Sequence, residues 1–245
     1  MDVGSYILLS QQSALQRRMN ITANNLANMT TTGFRREKPV FQSYLVDSQA
    51  SESPEKQVAF VLDWRTTHDL APGGFQATGN PIDMMIEGEG WFSLQTSDGV
   101  AYSRAGEARV DADGRIVNLS GLPFLDESGQ PVILPPQDAA RVQITGDGTV
   151  MGTTGEVGRI AITRFDNDGS LIPRGDGLMG GQGGRLLPPE QIRIRSGGVE
   201  GSNVQPVVET TAMVEILRSY QSSARMAESM DDLRRQAIDR LGRIS

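Results

Sequence analysis

Gly175-Asp176-Gly177-Leu178-Met179-Gly180 matches the glycine spacing that cradles a dinucleotide pyrophosphate. That spacing works only between a strand and an opening helix. Here Gly181, Gly183, Gly184, Pro188 and Pro189 follow, and no helix opens through them. Asp111-Ala112-Asp113-Gly114 and Asp166-Asn167-Asp168-Gly169 resemble the start of a calcium loop. In both, the glycine comes two positions early and no closing Glu follows, so turns are the simpler reading. Glu87 and Glu89 would face the same way on a strand and could act as an acid and a base. Gly88 and Gly90 around them favour a solvated edge instead. His68 is the single histidine, and no nucleophile-elbow sequence accompanies it. Trp64, Trp91 and Tyr102 could stack on a sugar, but aromatic residues are only 5% of the chain and core packing is favoured.

Composition removes further chemistry. The chain has no cysteine, so thiolate nucleophiles, zinc thiolate sites, iron–sulfur clusters and disulfides are all excluded. One histidine excludes metal sites built on two or three imidazoles. With 23 basic and 30 acidic residues the net charge is −7, which argues against a nucleic-acid binder held by a general basic field. No catalytic, cofactor-binding or metal-binding residue is assigned, and an enzyme is not expected. The apolar run Tyr6-Ile7-Leu8-Leu9 is too short for a signal-peptide core or a membrane span.

The elements that would position any site follow from where glycine and proline fall. Residues 31–199 hold 25 of the 28 glycines and 11 of the 12 prolines, so the ends are helix-friendly and the middle is turn-rich. From Val3 to Thr30, Leu8, Leu15, Met19, Leu26 and Met29 follow helical spacing, with Ile7, Ala14 and Ile21 as a second row. Thr30-Thr31-Thr32-Gly33 predicts the stop. Met213, Leu217, Tyr220, Ala224, Ala227, Met230, Ala237, Leu241 and Ile244 form one broad face near the other end. Pro206 and Glu209 mark its start. Asn24, Asn25 and Asn28 disfavour a helix interior; they either gain specific hydrogen bonds or fray toward Gly33. The two helices either fold back as an ordinary packed pair or form a stalk with surplus apolar surface.

Turn signals recur in the middle at Asp98-Gly99, Asp113-Gly114, Ser128-Gly129, Asp147-Gly148 and Asp168-Gly169. Short apolar runs lie between them, including Trp91-Phe92-Ser93-Leu94, Arg115-Ile116-Val117, Pro131-Val132-Ile133-Leu134 and Arg159-Ile160-Ala161-Ile162. No amphipathic helix interrupts this series, so antiparallel pairing follows. The predicted fold is α+β, with long N- and C-terminal helices paired as a coiled-coil stalk flanking a mainly antiparallel, barrel- or sandwich-like β-domain. The expected division is 1–34 with 205–245 as a helical coiled-coil domain, 35–77 with 190–204 as an extended connecting region, and 78–189 as a β-rich outer domain. Residues 47–57 read as an exposed linker.

Ala23-Asn24-Asn25-Leu26-Ala27-Asn28, Thr32-Gly33-Phe34-Arg35 and Phe41 resemble the opening signature of bacterial flagellar rod and hook proteins. Thr78-Gly79-Asn80-Pro81-Ile82-Asp83, Gly88-Glu89-Gly90-Trp91-Phe92 and Tyr102-Ser103-Arg104-Ala105-Gly106 continue the resemblance. Ser202-Asn203-Val204, Glu209, Met213, Arg218 and Tyr220 complete it, so it runs the whole chain in order. The modest length and the opening Met1-Asp2 with Tyr6 resemble proximal-rod members more than distal ones. Ala108, Gln221 and Ser103 depart from the usual pattern.

The resemblance implies a structural subunit of the periplasmic rod, the drive shaft that transmits torque and encloses an export channel. Implied partners are copies of itself, other rod proteins and the flagellar export apparatus, with no nucleic acid and no membrane span. Export would use no cleaved signal. The implied subunit interface comprises Leu8, Leu15, Met19, Asn24, Asn25, Leu26, Asn28, Thr32, Gly33, Phe34, Asn203, Val204, Met213, Leu217, Tyr220, Ala224, Ala227, Met230 and Leu241. A distal-rod or hook subunit is the alternative, and a carbohydrate-binding protein or hydrolase a remoter one.

Overall fold

Apolar residues at helical spacing form α1 (Val3–Ala27) near the start of the chain and α2 (Pro206–Gly242) near its end. The computed structural model describes the backbone of residues 3–47, 57–138, 141–166 and 171–242, and the side chains of these except 3–6, 41–47, 57–65, 237, 241 and 242. The Asp168-Gly169 turn, nearly all of the 47–57 linker and the side chain of Leu241 lie outside the described residues.

α1 ends three residues short of the predicted stop because Asn28 turns the chain. Its carbonyl accepts the Thr31 N–H at 3.2 Å, and its Oδ1 accepts the Thr31 hydroxyl at 3.1 Å. α2 starts at Pro206, where the absent N–H costs nothing. Its 37 residues span about 55 Å.

The chain divides into two compact units. The first comprises Met1–Ala27, Glu37–His68 and Gln205–Ser245. In it α1 packs against α2, and β1 (Glu37–Asp47) pairs antiparallel with β2 (Gln57–His68), with one register shift at Gln42/Ser43. α1 also packs against β1.

The long coiled-coil stalk is corrected here. The buried residues are Leu8, Leu15, Thr22 and Asn25 on α1 and Glu209, Ile216 and Ser223 on α2. Four of these seven are polar, so among the described residues no continuous apolar seam exists. Val207, Val208, Val214, Leu217, Met226, Leu233 and Ile238 on α2 stay exposed instead.

The second unit comprises Asn28–Arg36 and Asp69–Val204. Its strands are β3 (Phe75–Ala77), β4 (Met84–Ile86), β5 (Trp91–Thr96), β6 (Gly99–Ser103), β7 (Arg109–Val110), β8 (Ile116–Val117), β9 (Gln143–Ile144), β10 (Thr149–Gly152) and β11 (Gly155–Arg159). β12 (Ile162–Arg164), β13 (Ile172–Gly175), β14 (Leu178–Gly180), β15 (Arg185–Leu186), β16 (Ile194–Ser196) and β17 (Gly198–Glu200) follow.

Pairing is antiparallel throughout the described strands, and the largest sheet runs β13-β14-β6-β5-β12-β15. Its two end strands do not meet, and the other strands pair in sheets of two or three, so the expected barrel does not close. Strands of two to six residues are too short to curl one sheet around a full circle. The core lies against one face of β5, where Phe92 and Leu94 join Met84, Ile116, Phe124, Leu134, Ile160 and Ile162. Phe92 and Phe124 meet edge to face at 5.6 Å. Trp91 alternates to the other face and packs with Phe165, Leu171 and Met179.

Candidate functional site

Sequence-predicted chemistry dissolves into structure. The dinucleotide-like glycines form the β13–β14 hairpin, with no helix following. Its turn, Asp176-Gly177, takes positive φ at both residues. Trp91 is buried rather than presented to a sugar. Glu89 is exposed and pairs with Arg164 at 2.9 Å. Among the described residues no group of acids and histidine is arranged to hold a metal ion.

The signature residues instead gather at two buried polar joints. The first lies in the helical unit and is built by Asn25. Its Oδ1 accepts the Glu37 N–H at 2.8 Å, and its Nδ2 donates to the Glu37 carbonyl at 2.9 Å. One amide thus pairs with both backbone groups at the start of β1, as a neighbouring strand would. Nδ2 also reaches Glu209 Oε2 at 3.4 Å. A buried Asn in the last turn of α1 is tolerated because these bonds replace the water it would otherwise keep.

The second joint lies in the β unit. Glu200, at the end of β17, accepts Arg35 Nη2 at 2.7 Å and the Gly73 N–H at 2.9 Å on Oε1, and Arg104 Nη1 at 3.4 Å on Oε2. The Arg35 and Glu200 side chains are 2% and 1% exposed. Each guanidinium has its own carbonyls. Arg35 donates to Leu70 and Ala71, and Arg104 donates to Gly88 at 2.7 Å and Ile86 at 3.4 Å while lying 5.6 Å from the Trp91 ring. Two buried cations around one carboxylate are tolerable only with such added donors and acceptors.

Gly33 lets the chain come this close. Its φ is +67°, its N–H donates to the Glu200 carbonyl at 2.7 Å, and any Cβ there would strike the backbone of Arg104 and Ala105. Asn203 closes the joint: Oδ1 accepts the Arg36 N–H at 2.6 Å, and Nδ2 donates to the carbonyls of Asp69 at 2.9 Å and Ala71 at 2.7 Å. Thr32 donates to Glu107 at 2.9 Å. A further signature cluster centres on buried Asp83, which accepts Thr78 Oγ1 at 2.6 Å, Asn80 Nδ2 at 2.8 Å and the Ala108 N–H at 3.0 Å.

The predicted interface residues therefore fall into two groups. Asn28, Thr32, Gly33, Phe34, Asn203 and Val204 belong to the β unit, Val204 buried and the rest half-buried. The others belong to the helical unit. Leu8, Leu15 and Asn25 are buried there; Met19, Leu26, Met213, Tyr220, Ala224, Ala227 and Met230 are half-buried; Asn24 and Leu217 are exposed.

Arg35 and Arg104 stand inside the resemblance motifs with no role legible there, and Glu200 stands in none of them. A lone acid between Val199 and Gly201 has no periodic signal. Glu209, whose position at the start of α2 suits a helix-dipole acid, is buried beside Asn25.

These joints hold, orient and satisfy backbone, and a cavity of about 320 Å³ beside the second is lined by Leu70, Gly88, Glu89, Arg104 and Arg164. Their chemistry is that of structural joints, in which buried polar groups hold the chain in place. Three family models match in chain order: "Flagella basal body rod protein" at residues 6–35, "Flagellar hook protein FlgE/F/G D1 domain" at 85–152 and "Flagellar basal body rod FlgEFG protein C-terminal" at 195–240. The flagellar basal-body rod protein FlgF of Caulobacter vibrioides is 34% identical over 246 residues, with 100% of both chains covered. FlgF of Mesorhizobium japonicum is 31% identical, covering 97% of each chain. FlgG of Agrobacterium fabrum is 28% identical, covering 93% of this chain and 95% of its own. The chain belongs to the flagellar basal-body rod protein family and is FlgF-like.

Proposed function

We propose that this chain is a structural subunit of the flagellar basal-body rod, of the FlgF type, and that it works by packing rather than catalysis. The observation that carries this reading is the match to a named rod protein across the whole of both chains. Exposed apolar side chains on α2 support it: Val207 is 77% exposed, Leu233 65% and Ile238 68%. Such residues on a long helix suit burial against neighbouring subunits. Partners on this reading are copies of the chain and other rod proteins, with the export apparatus delivering it to the periplasmic rod without signal cleavage. Among the described residues no helix is long and apolar enough to cross a membrane. The interface residues named from the resemblance are proposed to act at two levels. Those left half-buried or exposed on α1 and α2 contact neighbours, Leu8, Leu15 and Asn25 hold the helical unit itself together, and those at 28, 32–34 and 203–204 fix the β unit's own chain ends.

The FlgG-type reading stands second, favoured by relatives such as the Agrobacterium fabrum protein. A gene deletion complemented by a chain ending at Gln205 tests the role of α2. Loss of swimming and of assembled hooks is expected, whereas full motility would refute a rod function carried by this helix.

A further inference from the structure

Segment Asn28–Arg36 belongs to the β unit, although the chain on either side of it, α1 and β1, belongs to the helical unit. It is a strap laid on a body that its neighbours do not share. We propose that Glu200 is the latch of this strap, a positioning residue whose loss frees residues 31–36 while the β core stays folded.

The argument is one of unequal support. Glu200 neutralises two buried guanidiniums at once. Without its charge, Arg35 and Arg104 would stand as like charges in a poorly solvated site, and one must give way. Arg104 is held by the carbonyls of Ile86 and Gly88, next to β4 and β5 of the packed body, and lies over the buried Trp91 ring. Arg35 is held by Leu70 and Ala71, which lie in an irregular segment, and it rides on the strap itself. The strap is the softer element, so Arg35 leaves and Arg104 stays. Glu200 also fastens the strap through its backbone, by accepting the Gly33 N–H, and Asn203 holds its far end at Arg36. The latch therefore acts through named strap amides, and each is a reporter. This holds whether or not the chain is a rod subunit.

Hydrogen exchange on the full chain tests it. In Glu200→Gln, the amides of Gly33, Phe34 and Arg36 are expected to exchange about tenfold faster or more, as local opening does. Amides of Phe124, Val132 and Ile160, bonded within the core, should keep their rates. Unchanged strap amides, or core amides that speed up equally, would overturn the proposal. If Glu200→Gln does not fold, Arg35→Gln serves, since it removes one of the two like charges and leaves Glu200 with Arg104. The same split between strap and core is expected, and its absence in a folded Arg35→Gln chain overturns the latch.

Discussion

Asn25 Nδ2 donates to Glu209 Oε2 at 3.4 Å inside the helical unit, although 184 residues separate them in the chain; both are 1% exposed. The same amide closes both backbone groups of Glu37, so one side chain ties α1, the start of β1 and the first turn of α2 together. Asn25→Ala would leave the half-buried N–H and carbonyl of Glu37 without this partner and remove one donor from buried Glu209. A loss of about 2–4 kcal/mol is expected from denaturant unfolding of the helical signal. Asn25→Asp should cost at least as much, because it sets a carboxylate against the Glu37 carbonyl and Glu209.

Gly33 carries both a positive φ and a close approach, so it has no tolerable substitute. Gly33→Ala is expected to destabilise the β unit by about 2 kcal/mol or more. The shift should appear in the denaturant midpoint read by near-ultraviolet circular dichroism. A midpoint equal to wild type would mean that the strap does not sit on Arg104 and Ala105.

Ser223 works in the opposite direction. Its Oγ is buried on α2 with no hydrogen-bond partner among the described residues. Ser223→Ala removes an unmet polar group and raises helix propensity. A gain of about 0.5–1 kcal/mol is expected in thermal unfolding at 222 nm, a wavelength that reports helix.

Acid sensitivity has a local source in the β9–β10 turn. Hydrogen bonds from the Thr145 and Thr149 hydroxyls hold the Asp147 carboxyl down at about 2, against an ordinary 3.8. The folded value is the depressed one. Its contribution is therefore complete above pH 3.8 and is lost as pH falls toward 2. Asp147 is 44% exposed, so solvent screening leaves about 1 kcal/mol at most. Asp147→Asn should be less stable at neutral pH and show a flatter stability curve through that window.

The parts of the fold readable in advance were those with local causes. The Asp-Gly turns at 98, 113 and 147 follow from conformational freedom, and each joins paired strands as the spacing requires. Pro206 fixes a helix start on its own. What could not be read depends on long-range pairing. Glu200 draws meaning from Arg35 and Arg104, which lie 165 and 96 positions away. The coiled-coil expectation failed for a related reason. Helical periodicity reports which residues could share a face, but Glu209 and Ser223 were covered in preference to Leu217 and Leu233. Barrel closure also depends on how sheet ends meet, which short runs of strand residues do not encode.

The most direct test of the rod reading is electron cryomicroscopy of basal bodies purified from cells that encode this chain, compared with the same cells lacking it. A rod that contains the chain, and that is incomplete without it, is the predicted result. Complete rods in the deletion strain, with the chain absent from wild-type basal bodies, would contradict the account.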